Sequence, residues 1–275
     1  NYTKTFNDIH NVDILLGTES TRFRYDQISA GRENFISTDD DFFILSSGSD
    51  NQTNDAEAAE WALNSYFARA YYSFDDKYMI EGTLRRDGSS RFGANNRYGN
   101  FPAVSGGWVV SKENFLSEST WLNYLKLRAG YGQSGNDQIG NYNGFSTFGS
   151  GLGSSFYGLG GNDGTIVQGF QSTAIGNPDA KWETTTSTNF AFDATFFKRL
   201  NITVDVWEKN TDEMLFPVAI PAVQGFAIAP SVNIGSMENN GIDVELSYSG
   251  GGYREGAFSY NVGVIFSQYK NRIKE

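Results

Sequence analysis

The side chains that could do chemistry in this chain are few, and they point away from catalysis. There is no cysteine and a single histidine, His10, which follows a turn beside Asp8 and Asn11. A zinc site, a cysteine nucleophile or a serine–histidine–aspartate triad would need side chains that this composition does not supply. Paired carboxylates such as Asp243 and Glu245 share a strand face because of alternation alone. We therefore expect no enzymatic activity, no catalytic residues and no resident metal centre.

An acidic segment suggests a different kind of site. Residues Glu33 to Glu60 include eight acids and no lysine or arginine. Clustered carboxylate oxygens suit a hard cation, so calcium is one interpretation. The ligand spacing of an EF-hand loop is missing, however. A solvated external loop is the simpler interpretation, and calcium in that loop is the alternative.

A glycine-rich segment offers aromatic rings. Residues Gly144 to Gly169 contain nine glycines but lack the lysine and serine or threonine of a phosphate-binding loop. We expect a long external loop whose aromatics either stack on sugar rings or pack beneath a lid protein. The substrate-binding candidates are Phe145, Phe148, Phe156 and Tyr157.

The run from Tyr78 to Trp108 shows which elements must position these groups. Its first half alternates between an apolar face that begins at Tyr78 and a charged face that includes Glu81 and Arg85. It then passes through a polar loop at 88–96 into a second extended run. This pattern predicts a long β-hairpin with one apolar and one charged face. Charged side chains do not suit a dry core but do suit a water-filled lumen, so the pattern favours a transmembrane β-barrel.

The same alternation recurs along the chain and predicts an all-β antiparallel sheet of about ten strands. The connections alternate between short and long, as periplasmic turns and extracellular loops do in outer-membrane barrels. The residues predicted to face the lumen are Glu81, Lys126, Arg128, Asp193, Asp205, Asp243 and Glu245. The predicted strands are 2–6, 10–27, 64–74, 77–87, 97–110, 122–134, 182–196, 200–211, 239–249 and 257–270.

Two further groups follow from this arrangement. Arg85, Arg86, Asp87 and Arg91 lie near the outer rim of one hairpin, where an ion-pair ladder that braces the strand end is a simpler interpretation than a binding site.

Aromatic residues collect beside the short turns and predict the periplasmic aromatic girdle. The predicted girdle is Tyr72, Phe74, Tyr78, Phe115, Trp121, Phe196, Phe197, Tyr248, Tyr253 and Phe258.

Composition agrees with a barrel and excludes some partners. Aromatic residues make up 15% of the chain, with 31 glycines and 5 prolines, which is typical of strands joined by turns. The net charge of -11 argues against nucleic acid as a partner, because phosphate binding needs clustered lysine and arginine. Mean hydropathy is -0.43, but alternating barrel strands dilute that signal.

Several blocks resemble one family of transporters. They are RRDGSSRFG (85–93), NNRYGNFPAVSGGW (95–108), LKLRAGYGQSGND (125–137), NPDAKWETTTSTNFAFD (177–193) and NNGIDVELS (239–247). These resemble the barrel of SusC-like, or RagA/SusC-type, TonB-dependent transporters of the outer membrane of Bacteroidetes-type bacteria, and the resemblance runs through most of the chain.

The resemblance implies active import of a nutrient, most simply a glycan oligosaccharide or a peptide. It also implies a SusD-like surface lipoprotein as lid, outer-membrane lipid around the barrel, and energy from TonB–ExbB–ExbD delivered through a plug. The lumenal charges would then contact that plug. We expect residues 1–275 to form one section of a larger barrel wall, with the plug and the remaining strands outside this sequence and both chain ends cut from a longer protein.

Two alternatives remain open from the residues alone. A self-contained ten-stranded outer-membrane barrel would act as a pore or an adhesin. A soluble β-rich carbohydrate-binding module agrees with the negative mean hydropathy but not with the charged faces.

Overall fold

The structure is a computed structural model that describes residues 1–151, 153–158, 166–221, 225, 227–251 and 258–274. Its main feature is a ten-stranded antiparallel sheet in the order β1-β2-β3-β4-β5-β6-β11-β12-β15-β16. No helix in the described part of the chain is long and apolar enough to cross a membrane. In chain order the strands are β1 (Tyr2–Phe6), β2 (His10–Phe35), β3 (Gly48–Phe74), β4 (Tyr78–Ser89), β5 (Tyr98–Val109), β6 (Leu122–Asn136), β7 (Thr147–Gly149), β8 (Tyr157–Gly158), β9 (Ile166–Val167), β10 (Gln171–Ala174), β11 (Glu183–Phe196), β12 (Leu200–Asp212), β13 (Leu215–Pro217), β14 (Ser231–Asn233), β15 (Ser236–Gly251) and β16 (Ser259–Lys274).

The predicted all-β antiparallel class and the ten long strands are confirmed, each long strand pairing with the next one along the chain. The six shorter strands form three small hairpins within two of the predicted long connections. Two short 3₁₀ turns, Leu45–Ser47 and Val110–Lys112, complete the regular structure of the described residues. The second lies at the start of the connection from β5 to β6.

The largest correction concerns residues 28–63, which were predicted to form a loop. Strands β2 and β3 instead continue through most of that segment and pair as far as Phe35 and Gly48. The prediction was wrong because aspartate, asparagine and alanine are poor strand formers. Cross-strand pairing in a hairpin overrides that weak local preference. Since β4 pairs with β3 only from Leu63 to Phe74, a two-stranded ribbon extends beyond the sheet by about 50 Å at roughly 3.3 Å per residue.

Three short turns lie together at one end of the sheet, called the turn end below. Each is closed by a hydrogen bond from the fourth residue to a phenylalanine carbonyl, at Phe6, Phe74 and Phe196. The two central residues have positive φ in every case, as type I′ hairpin turns require. Asparagine and aspartate suit that conformation in the first two turns, whereas Phe197 and Lys198 hold it in the third at a cost of about 1 to 3 kcal/mol each. The opposite end is called the loop end.

The strand register gives the sheet one apolar face and one polar face. Leu127 of β6 pairs with Phe192 of β11, which pairs with Val204 and then Val244. Rows of this kind form an apolar band on the apolar face. The band ends towards the loop end at a polar row in which Thr188, Glu208, Asn240 and Lys270 are paired across four strands.

An aromatic row borders the band at the turn end. The ring of Tyr78 stacks between those of Phe74 and Trp108, with centroid separations of 6.3 Å on each side. Trp121 stacks on Phe196 at 5.9 Å. The predicted girdle is therefore present around these turns, and it gains Trp108, Tyr260 and His10, whose ring stacks with Tyr72. Tyr253 lies outside the described residues, and Phe115 is exposed without a ring contact among them.

Glu113 anchors this row to the turn after β5. Its carboxylate accepts hydrogen bonds from the Tyr78 hydroxyl and the Trp108 indole and lies 3.4 Å from the Lys77 ammonium. The hydrogen bond from Tyr78, then that from Trp108, holds the pKa of Glu113 below its usual value. The charged form of Glu113 therefore stabilises the girdle.

Candidate functional site

The polar face brings together all the charges predicted to face the lumen. Arg69 lies centrally, with its Nη2 3.1 Å from Asp13 Oδ1 and its Nε 3.6 Å from Glu81 Oε2. Further along the sheet Arg128 binds Asp193 through two nitrogens, at 2.8 and 3.1 Å. Such bidentate pairs fix side-chain orientation as well as charge. On the polar face from β2 to β11 the charges thus form ion pairs, with Lys126 as an exception among the described residues.

The next strands differ because their acids lack cationic partners. Asp205 of β12 is paired directly opposite Asp243 of β15, although like charges opposite each other destabilise a sheet. Asp243 accepts a hydrogen bond from the Trp207 indole at 2.7 Å, and Asp205 accepts one from Asn189 at 3.4 Å. Within the described part of the chain, no ion pair involves Asp205, Asp243 or Glu245. This half of the polar face carries net negative charge.

A depression of about 260 Å³ separates charged side chains on the polar face. Its floor is formed by small residues of β5 and β6, including Ser105, Gly107 and Gly130. Glu81 and Arg128 stand at its sides. The small floor residues leave room for a group from outside this chain to lie against the backbone.

The charges of the RRDGSSRFG segment separate onto different surfaces. Arg85 Nε lies 2.8 Å from Asp87 Oδ1 on the polar face, which agrees with the predicted brace of the strand end. Arg86 points to the apolar face, where its guanidinium lies 4.8 Å from the centre of the Tyr98 ring. That ring lies over Gly88, where an added Cβ would come within 2.4 Å of Tyr98 Cε1. The glycine is therefore needed for close packing and not for an anion.

Arg91 has a third role at a junction of four of the family-like blocks. Its Nε donates to Asn141 Oδ1 at 3.1 Å and its Nη1 donates to the Asp137 carbonyl at 3.2 Å. Ser89, which is fully buried, donates to Asp137 Oδ2 at 2.7 Å. The Trp182 indole donates to the Arg97 carbonyl at 3.1 Å. Segments 85–97, 125–137 and 177–182 thus meet at one place.

A small hydrophobic core fills this junction. Phe92 lies 5.2 Å and Phe101 5.3 Å from Trp182, measured between ring centres. Ile139 and Ala180 complete the cluster, and all five are buried. The junction therefore holds the loop-end connections against the wall in a fixed position.

One loop-end pocket includes a predicted substrate contact. It has a volume of about 350 Å³ and is lined by Phe145 together with Trp61 and Tyr142. The Trp61 ring is covered by Phe23 on one side and by the Arg91 guanidinium, 5.0 Å away. Phe145 remains mostly exposed, and Tyr142 is half exposed.

The other three aromatic candidates do not share this pocket. Phe148 is in the small hairpin β7–β10, and Tyr157 is in β8–β9. Phe156 is half-buried next to Tyr157, while Phe148 and Tyr157 are exposed. Part of the predicted loop, at residues 152 and 159–165, lies outside the described residues.

Sequence reasoning did not identify Tyr142 or Trp61 as pocket residues. The Tyr142 hydroxyl accepts a hydrogen bond from the Glu60 backbone amide at 3.3 Å, at the strand edge that β4 leaves uncovered. Tyr142 also has φ of +67°, an uncommon conformation for a residue with a large side chain. Alternation along a strand does not predict this contact, because it joins residues far apart in sequence.

The acidic segment is arranged along the ribbon and not gathered at one point. Asp50, Asp55 and Glu57 lie along β3. Asp39, Asp40 and Asp41 lie in residues 36–47, which connect β2 to β3 and are called the ribbon tip below. No group of three acidic, histidine or cysteine side chains in the described residues could hold a metal ion. Calcium binding here stays a prediction from composition.

The chain is similar to known proteins along its whole length. Residues 1–274 match the family model described as TonB dependent receptor-like, beta-barrel. TonB-dependent receptor P39 of Formosa agariphila is 37% identical over 276 residues, covering 100% of this chain and 25% of the relative. TonB-dependent receptor SusC of Bacteroides thetaiotaomicron is 35% identical over 193 residues, covering 70% of this chain and 19% of the relative.

Solved structures agree with these relatives. The RagAB peptide importer in its open-open state superposes with a TM-score of 0.82 at 31% identity, over 100% of this chain and 29% of that one. This chain spans about a quarter of the length of the curated relatives it matches.

Proposed function

This chain belongs to the TonB-dependent receptor-like β-barrel family, and we propose that it forms part of the wall of an active importer. Its apolar face meets the lipid of the outer membrane of a Gram-negative bacterium, and its polar face lines the lumen. The polar face is the main support for this proposal. Its ion-paired charges and its acids without cationic partners suit contact with a hydrated lumen or a plug. We propose further that residues 1–275 are one section of a larger barrel, with the plug elsewhere in the protein.

The proposed cargo is a glycan oligosaccharide. The exposed aromatic rings at the loop end support this choice, because flat rings stack on sugars. A peptide cargo is the second candidate, and the similarity to the RagAB peptide importer favours it.

Uptake by cells that express the full-length receptor distinguishes these cargoes. Labelled oligosaccharides should accumulate in such cells, and an uncoupler that removes the energy supply of TonB–ExbB–ExbD should abolish accumulation. Accumulation of peptides alone would favour the second candidate. Accumulation of neither, or uptake that survives the uncoupler, would contradict active import.

Phe145 offers a local test of the cargo contact. It lines the loop-end pocket, whereas Phe170 is equally exposed outside that pocket. Phe145→Ala should raise the substrate concentration needed for half-maximal uptake about 10- to 150-fold, because burying a phenylalanine ring against the cargo contributes about 1.5 to 3 kcal/mol. Phe170→Ala should leave it unchanged. An equal effect of the two substitutions would remove Phe145 from the site.

The ribbon tip is the proposed contact with a SusD-like lid. Ile36, Phe42, Phe43, Ile44 and Leu45 are exposed together there, and contiguous exposed apolar groups of this kind mark protein contacts. A lid protein that covers them would remove this surface from water.

Capture of the lid by the tagged full-length receptor tests this contact. Phe42→Asp combined with Ile44→Asp should reduce capture of the co-expressed lipoprotein at least tenfold, because burying a charge in an apolar contact is costly. Ile28→Asp is the control, since Ile28 is highly exposed in strand β2 of the same ribbon, away from the tip. Undiminished capture by the tip variant would rule out the tip as the lid contact.

A further inference from the structure

Strand β16 carries an unusual run of polar side chains on the lipid-facing side of the wall. Gln268 is paired with Ile242 of the apolar band. Lys270 is paired with Asn240, and Arg272 with Glu238. The three side chains therefore follow one another along the apolar face, starting inside the band and continuing past its edge. Lys270 lies in the polar row that ends the band.

The cations of this run differ in whether they have partners. Lys274, one step further along, forms an ion pair with Glu238, with Nζ 2.5 Å from Oε2. Among the described residues, neither Lys270 nor Arg272 forms an ion pair, and the side-chain amide of Gln268 forms no hydrogen bond. The acid of the polar row, Glu208, lies two strands from Lys270, at a backbone separation of about 10 Å. Lys270 and the Gln268 side-chain amide thus have no partner among the described residues, whereas Arg272 interacts with the Glu238 carboxylate at longer range than an ion pair.

A groove runs from this polar run into the band. Its volume is about 570 Å³, and Phe190, Val206 and Ile242 line it within the band. Lys270 and Glu208 line it at the polar row. The groove is therefore apolar at the depth of the hydrocarbon and charged at the depth of the lipid headgroups.

We propose that this groove binds an anionic lipid of the outer leaflet. The long connections place the loop end of the sheet on the outer side of the membrane. An acyl chain lies against Val206 and Ile242, and the phosphate accepts hydrogen bonds from Lys270 and Arg272. The Gln268 amide donates to an oxygen of the same headgroup. Basic side chains just outside the hydrocarbon attract anionic headgroups, which gives the charge complementarity that a neutral lipid lacks.

The experiment compares lipid binding by full-length receptor and variants. Purified receptor in detergent is mixed with phosphatidylglycerol or phosphatidylcholine, and bound lipid is counted by native mass spectrometry. The receptor should prefer phosphatidylglycerol. Lys270→Gln combined with Arg272→Gln should weaken binding of phosphatidylglycerol about 30-fold, because each cation near an anionic surface contributes a factor of about five. Binding of phosphatidylcholine should not change.

Lys209→Gln is the matched control. Lys209 is paired with Asn239, one position from the polar row, but it lies on the lumenal side of the wall. This control should retain the full preference for phosphatidylglycerol. The proposal is overturned if the receptor shows no preference, if the double variant retains it, or if the control loses it equally. Slower gel migration on heating, measured for each protein, verifies that all three barrels are folded, and none of these results depends on which cargo is imported.

Discussion

A charge placed on the apolar face tests the assignment of faces most directly. Leu127 lies in the row of Phe192, Val204 and Val244, midway along β11 between Phe196 at the girdle and the polar row. Arginine at the bilayer midplane costs about 2 to 4 kcal/mol. Leu127→Arg should therefore reduce the ratio of folded to unfolded receptor about 30- to 700-fold.

Two further substitutions on the same strand turn this expectation into a depth profile. Tyr131 is paired with Thr188 of the polar row, so Tyr131→Arg should cost only about 0 to 1 kcal/mol from the charge. Lys126, next to Leu127 in sequence, is paired with Asp193 on the polar face. Lys126→Arg keeps the charge in the lumen and should leave stability unchanged within about 0.5 kcal/mol.

The assay is the urea midpoint of full-length receptor in lipid vesicles, read from the change in gel mobility between folded and heated samples. The order of destabilisation should be Leu127→Arg, then Tyr131→Arg, then Lys126→Arg. Equal tolerance of Leu127→Arg and Lys126→Arg would refute the assignment of faces. Equal damage from Leu127→Arg and Tyr131→Arg would refute the position of the band.

Other predictions concern packing and pH. Gly88→Val should destabilise the receptor by about 1 to 3 kcal/mol because the new side chain displaces the Tyr98 ring, and the urea midpoint measures this. Gly82→Ala is its control: no atom lies within 4 Å of the added Cβ, so stability should stay equal or rise, and a loss as large as that of Gly88→Val would contradict the packing account. The lowered pKa of Glu113 means that its stabilisation is complete above the unfolded value, about 4.3, and is lost as pH falls through the folded pKa. Thermal unfolding between about pH 3 and 6 should show less acid destabilisation for Glu113→Gln than for the wild type, and identical pH profiles would exclude the Glu113 contacts with Tyr78 and Trp108 as the cause.

Some features of the fold follow from local pattern. Strict alternation assigns Leu127 and Lys126 to opposite faces, because successive side chains in a strand point in opposite directions. Short turns such as that at Asp75 and Asp76 are recognisable because these residues tolerate positive φ. The family resemblance rests on blocks that coincide with these strands and turns.

Other features depend on contacts between distant segments. The ribbon of β2 and β3 forms although its residues are poor strand formers, since two antiparallel segments satisfy each other's backbone hydrogen bonds. The aromatic candidates were recognised by type, but only packing shows that Phe145 shares a pocket with Trp61 and Tyr142.

Local sequence pattern was enough to predict the class of protein, the number and order of long strands, and which side chains face lipid or lumen. Period-two alternation is a local property, so it can be recognised without knowing which strand pairs with which. The roles of the individual charges, in contrast, depend on the folded arrangement of the strands and loops. Arg85, Arg86 and Arg91 are alike in sequence, yet one braces a strand, one covers a tyrosine and one links its own segment to Asp137 and Asn141. Their roles differ because each role is set by the residue that lies across the sheet or in another loop, and sequence spacing does not encode that neighbour.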